Sequence, residues 1–432
     1  MKDTEIIGFE SLASFDNSER FAKLMDKRDP LAQYRNEFLI PQHNGEPIVY
    51  MAGNSLGLQP RKTQSLIEQE LKDWADMGVE GHFHARTPWM PYHESLTHST
   101  ARLVGALPHE VVVMNSLTVN LHLMMVTFYR PTKQRFKIVI EGGAFPSDQY
   151  AVATQAQFHG LKPSEAIIEL RPREGEYTLR TEDIISLIEK EGESIALVML
   201  GTCNYLTGQA FNIPAITKAA QKSGCMMGIN LAHGAGNLDL RLHDWDLDFA
   251  VWCSYKYLNA GPGGIAGCFV NDRYATEFDL PRFAGWWGHD KETRFLMGPN
   301  FQPITGAEGW QLSNPPIFQL AALRASMELF DKAGMAAIRK KGDLLTGYLE
   351  FLLRAIPDDF CQLITPRNIR ERGSQLSIKV GGKPKQLVKK LKEIGTICDF
   401  REPDIIRAAP APLYNSFLDV YRFANTIAEF AK

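Results

Sequence analysis

Between about Val111 and Val270, short aliphatic runs recur, and each is followed by a segment of helical length in which apolar residues return every three or four positions. The runs are VVVM, KIVIE, IALVML, CMMGIN, FAVWCSY and GIAGCFV, with segments such as NLHLMMVTFYR and NIPAITKAAQKSG between them. Strands that are apolar on both faces and joined through helix-length connections predict a mostly parallel sheet. A parallel pair needs a crossover, and crossover helices cover both faces. Residues 55–312 are therefore expected to form a large, doubly wound α/β domain. After SNPPI the pattern changes to one long stretch of helical period, FQLAALRASMELFDKAGMAAIRKKGDLLTGYLEFLLRAI, then the strand-like SQLSIKV and the helical KQLVKKLKEIG. Residues 313–432, completed by 1–54, are expected to form a smaller α+β domain. No internal repeat or low-complexity tract interrupts the pattern.

Composition narrows the class of partner. At 432 residues, 44% hydrophobic and 22% charged, the chain can bury a large core. Lys and Arg total 47 against 50 Asp and Glu, a net charge of −3, so nothing in the balance favours nucleic acid or an anionic membrane. A small-molecule partner is the default. The six cysteines are scattered without a CxxC pair, which fits reduced thiols in the cytoplasm and neither a disulfide frame nor a zinc site. The opening MKDTEIIGFESL lacks the apolar run of a signal peptide, and no stretch approaches the roughly 18 apolar residues of a membrane span. His82 and His84 in GHFHAR have no recognisable third ligand, so no metal is expected.

In an open parallel sheet, ligands bind beyond the carboxyl ends of the strands. VVVM is followed by NSLT, the start of a helix whose free N–H groups would suit a phosphate near Leu117 and Thr118. KIVIE leads to GGAFPSD, which presents Phe145 and Asp148; CMMGI leads to NLAH, which presents Asn230 and His233; FAVWCS leads to Tyr255 and Lys256. Lysine is seldom placed at such a position without a reason. An anion-binding helix start, an aromatic face, polar partners and a lysine on neighbouring strand ends together describe a pyridoxal-phosphate site, with Lys256 as the amine that holds the cofactor's aldehyde as a Schiff base.

The motifs AGNSLGLQP, FPSD, TGQAFNIPAIT, LAHGAGN, HDWDLDFAVWCSYKYL, SNPPI and APLYNSF closely resemble kynureninase, over about Gly53 to Asn425. The resemblance implies the pyridoxal-phosphate transferase fold of type I. It also implies hydrolytic Cβ–Cγ cleavage of kynurenine or 3-hydroxykynurenine to an anthranilate and alanine, in tryptophan breakdown or pyridine nucleotide synthesis. Lys256 resembles the Schiff-base lysine that moves the Cα proton, with Tyr255 as a second catalytic group. Leu117, Thr118, Phe145, Asp148, Gly201, Asn230, His233 and Tyr255 resemble cofactor contacts. Trp286 and Asn314 resemble groups that reach the cofactor across a homodimer interface, Asn314 also lying near substrate. Arg407 resembles the clamp for the substrate carboxylate, a task suited to a planar bidentate fork. Ser55 and His82 resemble residues bordering the aryl end.

Two positions depart from the family pattern. Where the family has an aspartate that pairs with the pyridine nitrogen, this chain has Asn230, which bears no charge; each lost pKa unit is worth about 1.4 kcal/mol. A shift of two to three units would slow Cα deprotonation by something like a hundred- to a thousand-fold. Gly201 stands where a Ser or Thr is usual, a loss of one hydrogen bond and about 1 kcal/mol. Three readings follow: an active kynureninase, a cofactor-binding homologue of weak activity, and another enzyme of the same fold type, such as a desulfurase or aminotransferase. A desulfurase would need a mobile active-site cysteine, and neither Cys361 nor Cys398 has such a setting.

Overall fold

In the computed structural model, residues 15–432 are described; the MKDTEIIGFESL segment lies outside them. The expected large sheet has seven strands: β1 Val111–Val113, β2 Lys137–Glu141, β3 Ile167–Leu170, β4 Ile195–Gly201, β5 Met226–Asn230, β6 Phe249–Trp252 and β7 Gly267–Val270. Their order is β1-β7-β6-β5-β4-β2-β3. The β6–β5–β4–β2–β3 pairs are parallel, and β7 runs antiparallel to both β6 and β1. The reversal has a local cause. Residues 253–266, between β6 and β7, contain no helix to carry the chain back across the sheet, so it returns alongside β6.

Alternation along the strands feeds two helical layers. Val111, Val139, Val198, Leu200, Ala250 and Trp252 enter one core, while Val112, Ile138, Ile140, Leu197, Met199, Phe249 and Val251 enter the other. This is why the runs look continuously apolar. The edge strand β3 escapes the pattern, because Leu170 alone of its four residues is buried.

The long helical stretch is two helices, Ile317–Ala333 and Met335–Leu353. Gly334, at φ +76°, breaks it in a conformation that L-residues avoid. The first helix packs on the Lys62–Met77 helix and sends Leu320, Leu323, Met327 and Phe330 into the core of the large sheet. The second keeps Ile338 in that core and then sends Leu345 and Leu349 into a separate one, so the change of core falls within this helix. That second core lies against a four-stranded antiparallel sheet of β8 Cys361–Leu363, β9 Leu376–Val380, β10 Asp399–Arg401 and β11 Ile405–Ala408, in order β8-β9-β11-β10. Ala22, Met25, Val49 and Met51 join it from the N-terminal part of the chain. Among the described residues, no helix is long and apolar enough to cross a membrane.

Candidate active site

Leu117, Thr118, Phe145, Asp148, Gly201, Asn230, His233, Tyr255 and Lys256 line one pocket at the carboxyl ends of β2, β4, β5 and β6. Lys256 lies three residues beyond the start of the β6–β7 connection, and the loop that carries it is clamped from outside. The Gly57 N–H donates to the Tyr255 carbonyl at 2.8 Å, and a Cβ on Gly57 would stand 2.4 Å from the Lys256 carbonyl oxygen. Only glycine allows the 53–57 loop to lie so close.

Within the pocket the Lys256 Nζ is 3.1 Å from His233 Nε2 and 5.8 Å from the Phe145 ring centre. Burial lowers the Lys256 pKa from its usual value, favouring the neutral, nucleophilic amine. Burial, followed by the neighbouring Lys256, also drives His233 well below its ordinary value, so its imidazole is neutral. The Tyr255 hydroxyl is pushed up by burial and stays protonated.

On the opposite wall the Asn230 amide donates to Asp148 Oδ2 at 2.8 Å and accepts from the Ala232 N–H at 2.8 Å. Asp148 sits in the first turn of the Pro146–Phe158 helix, where an anion is favoured. Its Oδ1 is buried without a partner, as is His233 Nδ1. At the head of the Leu117–Phe128 helix, Ser116 makes no side-chain cap, which leaves the helix N–H groups free beside Thr118, whose hydroxyl lies 2.7 Å from that of Ser147. A free helix start, a recessed amine, an aromatic face and an unpaired buried carboxylate oxygen match the phosphate, aldehyde, ring and pyridine nitrogen of pyridoxal phosphate.

Other lining residues were not singled out from the sequence, among them Glu141, Ser147, Cys203, Tyr205 and Cys253. Glu141 ends the KIVIE run, and Tyr205 follows IALVML, so the same inspection of strand ends points to both. Glu141 is buried and accepts from the Gly201 N–H and from Asn204 Nδ2, each at 2.7 Å. A Cβ on Gly201 would meet Glu141 Oε1 at 2.9 Å, so this carboxylate occupies the space a Ser or Thr side chain would need.

Five predicted positions lie outside this lining. Arg407 sits behind Tyr205, fully buried, with its Nη1 donating to the Tyr205 carbonyl at 2.6 Å and its Nε and Nη2 paired with Asp399 at 3.1 and 2.7 Å. Ser55 and Asn314 are exposed. Trp286 is 40% exposed and donates to the Arg294 carbonyl. His82 bonds the Val79 carbonyl at 3.0 Å and packs edge-on to Trp89. His84 faces Glu80 at 3.7 Å on the surface. Among the described residues, His93, Glu94 and Glu308 form a group of metal-ligand type, and Lys291 bridges its two carboxylates at 2.9 and 2.7 Å.

Fold and pocket together define a doubly wound α/β protein with a lysine-bearing strand end, of the architecture seen in cysteine desulfurases. It superposes on a cysteine desulfurase from Thermococcus onnurineus (TM-score 0.73, 19% identity, 89% of this chain and 94% of the other). A desulfurase from Escherichia coli gives TM-score 0.75 at 18% identity, over 93% and 99%. At that identity the likeness is one of fold alone.

Sequence relatives narrow it further. The chain is 65% identical over 419 residues to a kynureninase of Myxococcus xanthus, covering 97% of this chain and 98% of that one. It is 60% identical over 414 residues to a kynureninase of Koribacter versatilis, covering 96% and 98%. Residues 338–427 match the kynureninase C-terminal domain. The chain belongs to the kynureninase family.

Proposed function

We propose that this chain is a pyridoxal-phosphate hydrolase that cleaves the Cβ–Cγ bond of kynurenine or 3-hydroxykynurenine, releasing an anthranilate and alanine. The observation that carries this reading is near-full-length identity of 65% to a kynureninase, joined to a pocket whose lysine, aromatic face and free helix start suit that cofactor. Leu117 and Thr118 would hold the phosphate, Phe145 the ring face, and Lys256 the aldehyde carbon. Bound there, pyridoxal phosphate supplies an electron sink for the charge left at the substrate Cα when its proton departs.

The side chains divide the remaining work. The depressed pKa of Lys256 suits its amine to accept the Cα proton and return it, since a base is most effective when its pKa lies near the working pH. Tyr255, kept protonated by burial, acts as a donor to the phosphate or to the substrate's γ-carbonyl oxygen. As an acid it would stabilise the oxyanion that forms when water adds at that carbon.

Arg407 has five N–H donors, of which Asp399 and the Tyr205 carbonyl engage three, leaving two for the substrate carboxylate. Ser55 and His82 would border the aryl group. Trp286 and Asn314, exposed in a single chain, would reach the site of a partner subunit in a homodimer. All six cysteines are free, in keeping with a cytoplasmic enzyme.

The test is direct. The purified protein, reconstituted with pyridoxal phosphate and given L-kynurenine or its 3-hydroxy form, should release anthranilate or 3-hydroxyanthranilate, followed by fluorescence, with alanine in equal amount. Retention of the cofactor with no turnover of either substrate would contradict the assignment.

A further inference from the structure

The wall of the pocket formed by Asp148 and Asn230 has an arrangement that the assigned chemistry does not by itself explain. Both ends of the Asn230 amide are committed. Its oxygen accepts from the Ala232 N–H and its nitrogen donates to Asp148 Oδ2. The flipped amide would set N–H against N–H at Ala232 and oxygen against carboxylate at Asp148, so the orientation is determined by its neighbours. Asn230 is thus turned to hold Asp148 and not to present a free acceptor. Glu141, the other carboxylate of the pocket, has one N–H donor on each oxygen. The one carboxylate oxygen on this wall that is buried and unpartnered is Asp148 Oδ1.

Resting on the pyridoxal-phosphate reading above, we infer that Asp148, oriented by the Asn230 amide, supplies the negative charge that keeps the cofactor's pyridine nitrogen protonated, in place of a carboxylate at position 230. Position 230 becomes a positioning residue and Asp148 the cofactor contact. Burial, and after it the neighbouring Glu141, raise the Asp148 pKa to about 6, while the Asn230 N–H and the start of the Pro146–Phe158 helix favour its ionised form. A pyridinium beside it would lower that value further.

The arrangement also bears on what an aspartate at position 230 would do here. An aspartate placed as Asn230 is would bring two carboxylate oxygens within 2.8 Å, where both cannot be ionised and one must take up a proton. Asn230→Asp in the presence of Asp148 therefore relocates the charge without adding one, and should change turnover by less than about tenfold. A weakly active homologue disabled by Asn230 would instead gain a hundredfold or more.

The deciding experiment uses pyridoxal phosphate labelled with ¹⁵N in the ring, bound to the full-length protein at neutral pH. The wild type should give the protonated, upfield pyridine ¹⁵N resonance. Asp148→Asn should move it downfield to the unprotonated position, and Asp148→Asn with Asn230→Asp should return it upfield. Asp148→Ser, which also removes the charge, is run in parallel so that poor folding of one variant does not decide the result. An upfield resonance in folded Asp148→Asn or Asp148→Ser, or a downfield one in the wild type, overturns the inference while leaving the cofactor assignment intact. Failure of the wild type to retain the cofactor at all overturns both.

Discussion

The floor of the pocket and the positions proposed to border it are built in different ways. On the floor, Lys256, His233, Asn230 and Asp148 come from the ends of strands or from the helix after a strand, and they bond one another within a single chain. Ser55, Asn314 and Trp286, outside the lining, are exposed, and Trp286 has its indole N–H tied to the Arg294 carbonyl. Parallel strands lie about 4.8 Å apart, so their ends bring side chains into contact as a consequence of the sheet. Loops have no such constraint. The lesson is that the lysine end of the site is assembled within one chain, whereas the positions carried by loops depend for any role there on how those loops, and the proposed second subunit, are placed.

That contrast can be tested, and the largest effect should come from the floor. Lys256→Ala removes the proton carrier and the covalent anchor, so kcat should fall by roughly 10⁴-fold, with the far-ultraviolet circular dichroism unchanged. Retained turnover would place the chemistry elsewhere. Next comes Arg407→Met, which removes one of the two arginine partners of Asp399, Arg401 remaining at 2.9 Å, and should cost about 1.5 kcal/mol of folding stability, read from urea unfolding, besides raising KM.

Trp286→Ala and Asn314→Ala should weaken cofactor retention about tenfold, near 1.4 kcal/mol, and the loss should also appear in the wild type when it is diluted to monomer, measured by equilibrium dialysis beside sedimentation. A wild type that stays monomeric yet fully active would remove the partner subunit from the picture. The smallest effect is on the rate at which the apoprotein captures pyridoxal phosphate. Only the neutral amine reacts, so the rate should climb with pH and level off below 10.5, because burial depresses the Lys256 pKa. A plateau at or above that value would mean a solvated lysine.

The same contrast explains what could be read before the structure. Periodicity disclosed the large sheet, because its central strands are buried on both faces; it missed Ile167–Leu170, an edge strand of mixed burial. It joined two helices into one, because a single glycine at Gly334 interrupts the backbone without interrupting the hydrophobic pattern. The strand-end rule led to Phe145, Asp148, Asn230, His233, Tyr255 and Lys256, which all line the pocket. Tyr205 and Glu141 obey the same rule, but a tyrosine or a glutamate at a strand end carries no chemical signature as strong as a lysine. Gly201 and Asn230 looked like losses when each was read alone. The structure shows what the sequence could not, namely that a carboxylate stands beside each of them, Glu141 against Gly201 and Asp148 against Asn230. Ser55, His82, Trp286, Asn314 and Arg407 were reached through family resemblance, and no local pattern marks them.

One experiment bears most directly on the role of Lys256. The protein is reconstituted with pyridoxal phosphate, reduced with borohydride, digested and mapped by mass spectrometry. The cofactor should be found fixed to the peptide containing Tyr255-Lys256-Tyr257, at the Lys256 amine and in stoichiometric amount. Labelling at another lysine, or none after reduction, would contradict the site described here.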